Sequence, residues 1–223
     1  MPDGQYSFYL HSDDRTDIAA MATISTISQP LRGEFIRTAA TAGAVMYQTD
    51  ARLPALIPVF FAGQLSAVRL CAVMALVSGT WSSLTGLPDE PENGEAALPV
   101  SPETEYQRRR YTLTLQNGRS GERVESVLTE ASSRLRGDLL RNLIITGLAL
   151  HTTAPELPRL LASMPVPPTS VSELQALVQQ MAGTADVNRA AAAVPDTPAA
   201  SAAPVSGADT REIKKNMRRA FGD

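Results

Sequence analysis

Side chains able to hydrogen-bond the edges of base pairs recur at every second position in two short runs. In Arg110-Tyr111-Thr112-Leu113-Thr114-Leu115, the residues Arg110, Thr112 and Thr114 share one face of an extended strand. Tyr111, Leu113 and Leu115 share the other face. In Tyr6-Ser7-Phe8-Tyr9-Leu10, Ser7 and Tyr9 alternate in the same way with Tyr6, Phe8 and Leu10. An arginine fits O6 and N7 of guanine, and a threonine or serine hydroxyl donates or accepts at any base edge. Enzymatic chemistry has no comparable basis. One Cys and two His, His11 and His151, supply neither a ligand-spaced metal set nor a nucleophile with its base. There is no phosphate-binding glycine loop and no nucleophile elbow. The expectation is a binding protein that is not an enzyme and needs no cofactor or metal.

The two runs belong to an internal repeat, which supplies the elements that must position them. Leu31–Ile57, LRGEFIRTAATAGAVMYQTDARLPALI, aligns without a gap on Leu135–Leu161, LRGDLLRNLIITGLALHTTAPELPRLL. Identities fall at Leu31/Leu135, Arg32/Arg136, Gly33/Gly137, Arg37/Arg141, Gly43/Gly147, Leu53/Leu157 and Pro54/Pro158. With one residue gapped, Tyr6–Leu10 matches Tyr111–Leu115. Each copy therefore reads as strand, helix, helix. After the first strand, Asp13, Asp14 or Thr16 can cap a helix whose Ile18, Met21, Ile24 and Ile27 share a face. Val124, Val127, Leu128 and Ala131 do the same in the second copy. A break at Gln29–Gly33, matched by Leu135–Gly137, precedes a longer helix over 34–47 and over 138–151. Glu34 and Asp138 in its first turn suit the helix dipole. Gly43 and Gly147 inside these helices read as places of close helix packing. Further helical pieces follow each Leu-Pro pair, over 54–61 and 65–77, then over 158–164 and 171–181.

One strand and two helices cannot close a core, whereas two such units can pair their strands into an antiparallel ribbon. The expected fold is mainly α with a short two-stranded antiparallel ribbon: tandem ribbon-helix-helix repeats closing as an internal pseudo-dimer, plus accessory helices. The first unit covers 1–78, a flexible linker 79–105 and the second unit 106–182. A disordered linker is expected over 183–209, which is poor in large apolar groups, and a basic amphipathic recognition tail over 210–223. A two-stranded ribbon fits a major groove, so its outward Ser7, Tyr9, Arg110, Thr112 and Thr114 are candidate base readers. The amides around Arg32-Gly33 and Arg136-Gly137 at helix starts are candidate phosphate anchors, with the two arginine side chains beside them.

Charge is unevenly spread. The chain is −3 overall, yet 210–223 holds five basic residues against two acidic ones, including both lysines of the protein. An acidic body argues against indiscriminate nucleic-acid binding and leaves room for a small specific face. In the tail, Ile213, Met217 and Phe221 form an apolar stripe flanked by Lys214 and Arg218. So short a helix is expected to order only on a partner. A protein groove with an acidic rim, DNA backbone, or no partner at all remain open for it. Val59–Val77 is apolar but carries Arg69, so it reads as buried helix rather than a membrane span. No secretory leader is read in the opening residues, and a cytoplasmic, plasmid- or nucleoid-associated location is expected.

The repeated segments YSFYL with RGEFIRTAATAGAVMYQTDARLPALI, and YTLTL with RGDLLRNLIITGLALHTTAPELPRLL, resemble the ParR/StbB-type centromere-binding adaptors of plasmid partition. That resemblance implies ribbon-helix-helix binding to iterated DNA repeats near the protein's own promoter, repression of that promoter, and side-by-side self-association on DNA. It also implies that Leu53–Val77 and Leu157–Met181 act in assembly, and that Ile213–Phe221 binds an actin-like ParM/StbA-type ATPase filament. Two departures stand out. The family carries one copy per chain where this chain has two, and the strands differ, Ser7/Tyr9 against Thr112/Thr114, which suggests unequal half-sites. A tandem ribbon-helix-helix repressor, or an accessory DNA-binding protein of conjugative transfer, fits the same ribbon. A protein scaffold without DNA remains a third reading.

Overall fold

In the computed structural model, residues 4–80 and 107–192 are described. The order is β1 (Gln5–His11), α1 (Arg15–Ser25), α2 (Gln29–Thr49), α3 (Leu53–Phe60), α4 (Ala67–Ser78), then β2 (Arg108–Thr114), α5 (Arg119–Glu130), α6 (Arg136–Thr153), α7 (Leu157–Ser163) and α8 (Val171–Ala192). The protein is therefore mainly helical with one two-stranded antiparallel ribbon, built from two similar units. Met1–Asp186 forms one compact unit, and Val187–Asp223 is assigned to a second.

The strands pair because each has one apolar face and, among the described residues, neither has another strand beside it. Phe8 and Leu10 are fully buried, and Leu113 and Leu115 nearly so. Each such side chain contributes roughly 1.5–3 kcal/mol. Phe8 stacks on its cross-strand partner Tyr111 with ring centroids 5.2 Å apart. The register sets Ser7 opposite Thr112, which are equivalent positions of the two repeats. The ribbon's pseudo-two-fold axis therefore passes between them.

Beneath the ribbon, α2 and α6 cross as the centre of the core, and one hydrophobic cluster runs through both repeats. Their backbones meet at glycines. A Cβ on Gly43 would land on the backbone of Leu143, and one on Gly147 on the backbone of Ala39. Small residues at the crossing allow the main chains to approach this closely. The repeats also clasp each other farther along. Thr49 Oγ1 donates to the Pro168 carbonyl at 3.1 Å, and its equivalent Thr153 donates to the Leu65 carbonyl at 2.7 Å. Each long helix thus ties down the loop before the last helix of the other repeat.

Two boundaries and one helix face differ from the sequence expectation. Helix α2 starts at Gln29 rather than near Glu34, because Pro30 falls in its first turn, where a missing N–H costs nothing. Helix α1 buries Asp17, Ala19, Ala20 and Ile24, so its inward stripe is turned toward the ion pair of Asp17. Helix α8 continues to Ala192, inside the segment read as a linker from residue 183; the run Ala190–Ala193 has the strongest helix propensity of any residue type. The apolar stretch Val59–Val77 is divided between α3 and α4 by a turn in which Gly63 has φ 103°. No described helix is long and apolar enough to cross a membrane.

Candidate nucleic-acid interface

Alternation along the paired strands sends Gln5, Ser7, Tyr9 and His11 of β1 to the side opposite Phe8 and Leu10. Arg108, Arg110, Thr112 and Thr114 of β2 join them across the register. The sequence-derived set Ser7, Tyr9, Arg110, Thr112 and Thr114 is thus brought together on one face. Gln5 and His11 belong to the same face and were missed, because β1 extends beyond its apolar run, while Arg108 joins it from the basic run that leads into Tyr111. Carrying the period-two pattern past Tyr6 and Leu10 would have found the first two.

The side chains of this face are ordered by one another. Arg110 Nε and Nη2 donate to Ser7 Oγ at 3.2 and 3.0 Å, which fixes the plane of an otherwise exposed guanidinium. The Arg108 guanidinium lies over the Tyr9 ring, 3.6 Å from its centroid. Such a cation–π contact holds an arginine in place while leaving its edge N–H groups available as donors. Arg109 is on the inward register but at the ribbon's exposed end, 5.3 Å above Tyr111.

The helix starts flank this face unequally. In α6, Leu135 is the N-cap and Arg136, Gly137 and Asp138 form the first turn, whose amides have no intrahelical acceptor. The Gly137 position lies against the Ser7 carbonyl, 3.4 Å from where a Cβ would stand. In α2 the earlier start moves the leading amides to Ser28 and Gln29, since Pro30 has no N–H and the Leu31 N–H donates to the Ser28 carbonyl at 3.0 Å, so the Arg32 and Gly33 amides sit in the helical ladder instead. That corrects the expectation that they lead the helix. Both arginine side chains are engaged with the preceding helix. Arg32 Nε donates to the Ile27 carbonyl at 2.8 Å, and Arg136 Nε to the Ala131 carbonyl at 3.2 Å. Arg32 Nη2 also reaches the Ser25 carbonyl at 3.3 Å. Positive charge placed there offsets the carbonyl end of α1 and α5 and fixes the corner between the two helices of each repeat. Just before them, the equivalent Leu31 and Leu135 are 61% and 56% exposed.

Across the pseudo-dimer, Arg141 of α6 reaches the first repeat. Its Nε donates to Asp17 Oδ1 at 2.7 Å, and its Nη2 lies 3.2 Å from Asp14 Oδ2. Asp17 is fully buried and also accepts the His11 amide at 2.9 Å, so this pair ties α6 to the end of β1. Burial pushes the Asp17 carboxyl above its ordinary range, against the lowering effect of the His11 amide and Arg141. The equivalent Arg37 is instead paired with Glu34 on its own helix at 2.7 Å. It borders a cavity of about 390 Å³ between α2, the loop after β2 and α7, which none of the outward ribbon residues lines.

Among the described residues no group of three or more His, Cys, Asp or Glu side chains could hold a metal ion. Cys71 is buried, and burial pushes its thiol up, away from the reactive thiolate. The tail residues Ile213, Lys214, Met217, Arg218 and Phe221 lie outside the described residues.

A family model described as plasmid stability protein matches residues 4–74 and 109–178. The chain belongs to this plasmid stability family. The two matched segments hold the two strand-helix units, from β1 into α4 and from β2 into α8, so family membership and internal repeat coincide. It is the family that the repeated segments resemble, one of DNA-binding ribbon-helix-helix proteins rather than enzymes. No curated protein and no solved structure matches the chain.

Proposed function

We propose that the protein is a sequence-specific DNA-binding adaptor of plasmid segregation. It grips centromere-like repeats near its own promoter through the outward face of the β1–β2 ribbon. Bound there, it represses its operon and links the DNA to an actin-like, filament-forming ParM/StbA-type ATPase. The observation that carries the DNA reading is the outward face itself. Ser7, Tyr9, Arg108, Arg110, Thr112 and Thr114 are gathered on a ribbon narrow enough for a major groove, in a member of a plasmid stability family. The first-turn amides of α6, and those of Ser28 and Gln29 at the start of α2, supply donors for flanking phosphates. Leu31 and Leu135 supply matched apolar contacts to the sugar edge. Exposed Val59 and Phe60 of α3, Leu76 of α4 and Val166 after α7 give the accessory helices apolar surface for side-by-side assembly. The amphipathic segment Ile213–Phe221 docks on the filament.

Footprinting over a concentration series on the upstream intergenic DNA tests this reading. Regularly spaced protection that spreads cooperatively is the expected result. One compact, non-cooperative footprint would move the assignment to a tandem repressor or a conjugative-transfer accessory protein. Absence of protection there and in a genome-derived fragment selection would leave a scaffold. Removing residues 210–223 is expected to spare the footprint and abolish co-sedimentation with the ATPase filament.

A further inference from the structure

The ribbon is two-fold in its backbone and one-sided in its chemistry. About the axis between Ser7 and Thr112, the counterpart of Arg110 is Gln5 and the counterpart of Tyr9 is Thr114. At one end of the outward face stand Arg110, buttressed by Ser7, and Arg108, laid over Tyr9. At the other end stand Gln5 and Thr114, both exposed and both neutral. The supports are one-sided too, since α6 packs against β1 with Gly137 at the Ser7 carbonyl, while only open space and Arg37 of its own helix surround Gly33. Arginine pairs bidentately with guanine O6 and N7, and glutamine pairs bidentately with adenine N6 and N7.

We propose that the ribbon reads its duplex site in a single orientation, with guanine under Arg110 and adenine under Gln5 at the mirror-related position. Arg110 and Gln5 are then the residues that set this polarity, and the recognised site is not a palindrome. The inference rests on the DNA-binding reading above and deepens it. In a symmetric dimer the two readers are the same residue, and the site they prefer is its own inverted repeat. Here a single covalent chain presents two different readers, and the arginine end also gathers the positive charge of the face.

The test is selection from a pool of randomised 20-base-pair duplexes by the full chain, followed by affinity measurement on the recovered sequence and its arm-swapped versions. A motif with guanine in one arm and adenine at the mirror position is expected. Replacing that guanine should weaken binding about tenfold to a hundredfold. Gln5→Arg should recover a palindromic motif with guanine in both arms, and Arg110→Gln one with adenine in both. Thermal unfolding of each variant shows whether it folds; both positions are exposed, so loss of folding in one leaves the other to decide. A palindromic motif from the unaltered chain, or a motif unmoved by either folded variant, overturns the polarity while leaving DNA binding in place. No enrichment of any motif overturns both.

Discussion

Asp17 has no exposed surface and holds three donors, the His11 amide and two N–H groups of Arg141, so removing it leaves the guanidinium only Asp14 and Asn142 as partners. Asp17→Ala is expected to cost roughly 1–3 kcal/mol in denaturant unfolding, because the His11 amide and the Arg141 Nε–H lose a buried acceptor. Its pH dependence has a definite sign. The folded-state pKa is raised above the ordinary 3.8, so the fold binds a proton more tightly at this group than the unfolded chain does. The stability it contributes is complete below 3.8 and is lost as pH rises through the folded value. Unfolding curves across that interval should show the margin of the natural chain over Asp17→Ala narrowing as pH rises; a widening margin would contradict the assignment. At the helix crossing, Gly43→Ala and Gly147→Ala are each expected to lower stability by roughly 1–3 kcal/mol, as the main chains must separate to admit a methyl group. Gly33→Ala, facing only the end of Arg37, should be close to neutral in the same assay.

At the scale of elements, the ribbon and the two helix corners separate base reading from positioning. Arg110→Ala is expected to cost roughly 1–3 kcal/mol on the preferred site and to relax base choice at one position. Arg136→Ala should weaken binding evenly over all sequences, by roughly 1 kcal/mol, since it stands at the start of α6 and holds the α5–α6 corner. Competition titrations with single-base variants distinguish the two patterns, and an even loss for Arg110 would make it a phosphate contact. These elements were readable to different degrees. The strands and long helices followed from the offset repeat, since identical side chains at a constant interval must occupy equivalent places. The start of α2 did not, because Pro30 looks like a breaker in a linear pattern and acts as a first-turn residue in three dimensions. The engagement of Arg32 and Arg136 was equally hidden. A guanidinium beside a helix start suggests an anion, whereas the nearer partner is a carbonyl of the preceding helix, visible only once the corner is folded. The Asp17–Arg141 pair spans 124 positions and leaves no local trace.

For the whole molecule, the decisive fact is that both halves of the ribbon-helix-helix core come from one chain. A dimeric core of this kind unfolds with a midpoint that rises with protein concentration, because folding and association are one event. Here the pairing of β1 with β2 and the crossing of α2 with α6 are intramolecular. Thermal midpoints are therefore expected to stay fixed over a hundredfold range of dilution in the absence of DNA. A midpoint climbing with concentration would mean that the pseudo-dimer needs a second chain.

The same ribbon has a consequence during synthesis. Gln5 pairs with Thr114, so β1 emerges from the ribosome about a hundred residues before its partner strand exists. At roughly 5–20 residues per second, its apolar face and open edge wait on the order of 5–20 seconds. Two nascent chains on one messenger could close each other's ribbons in that interval, exchanging first halves. The delay makes a domain-swapped dimer the natural misassembly of this fold, and slow production of the second repeat the condition that would favour it.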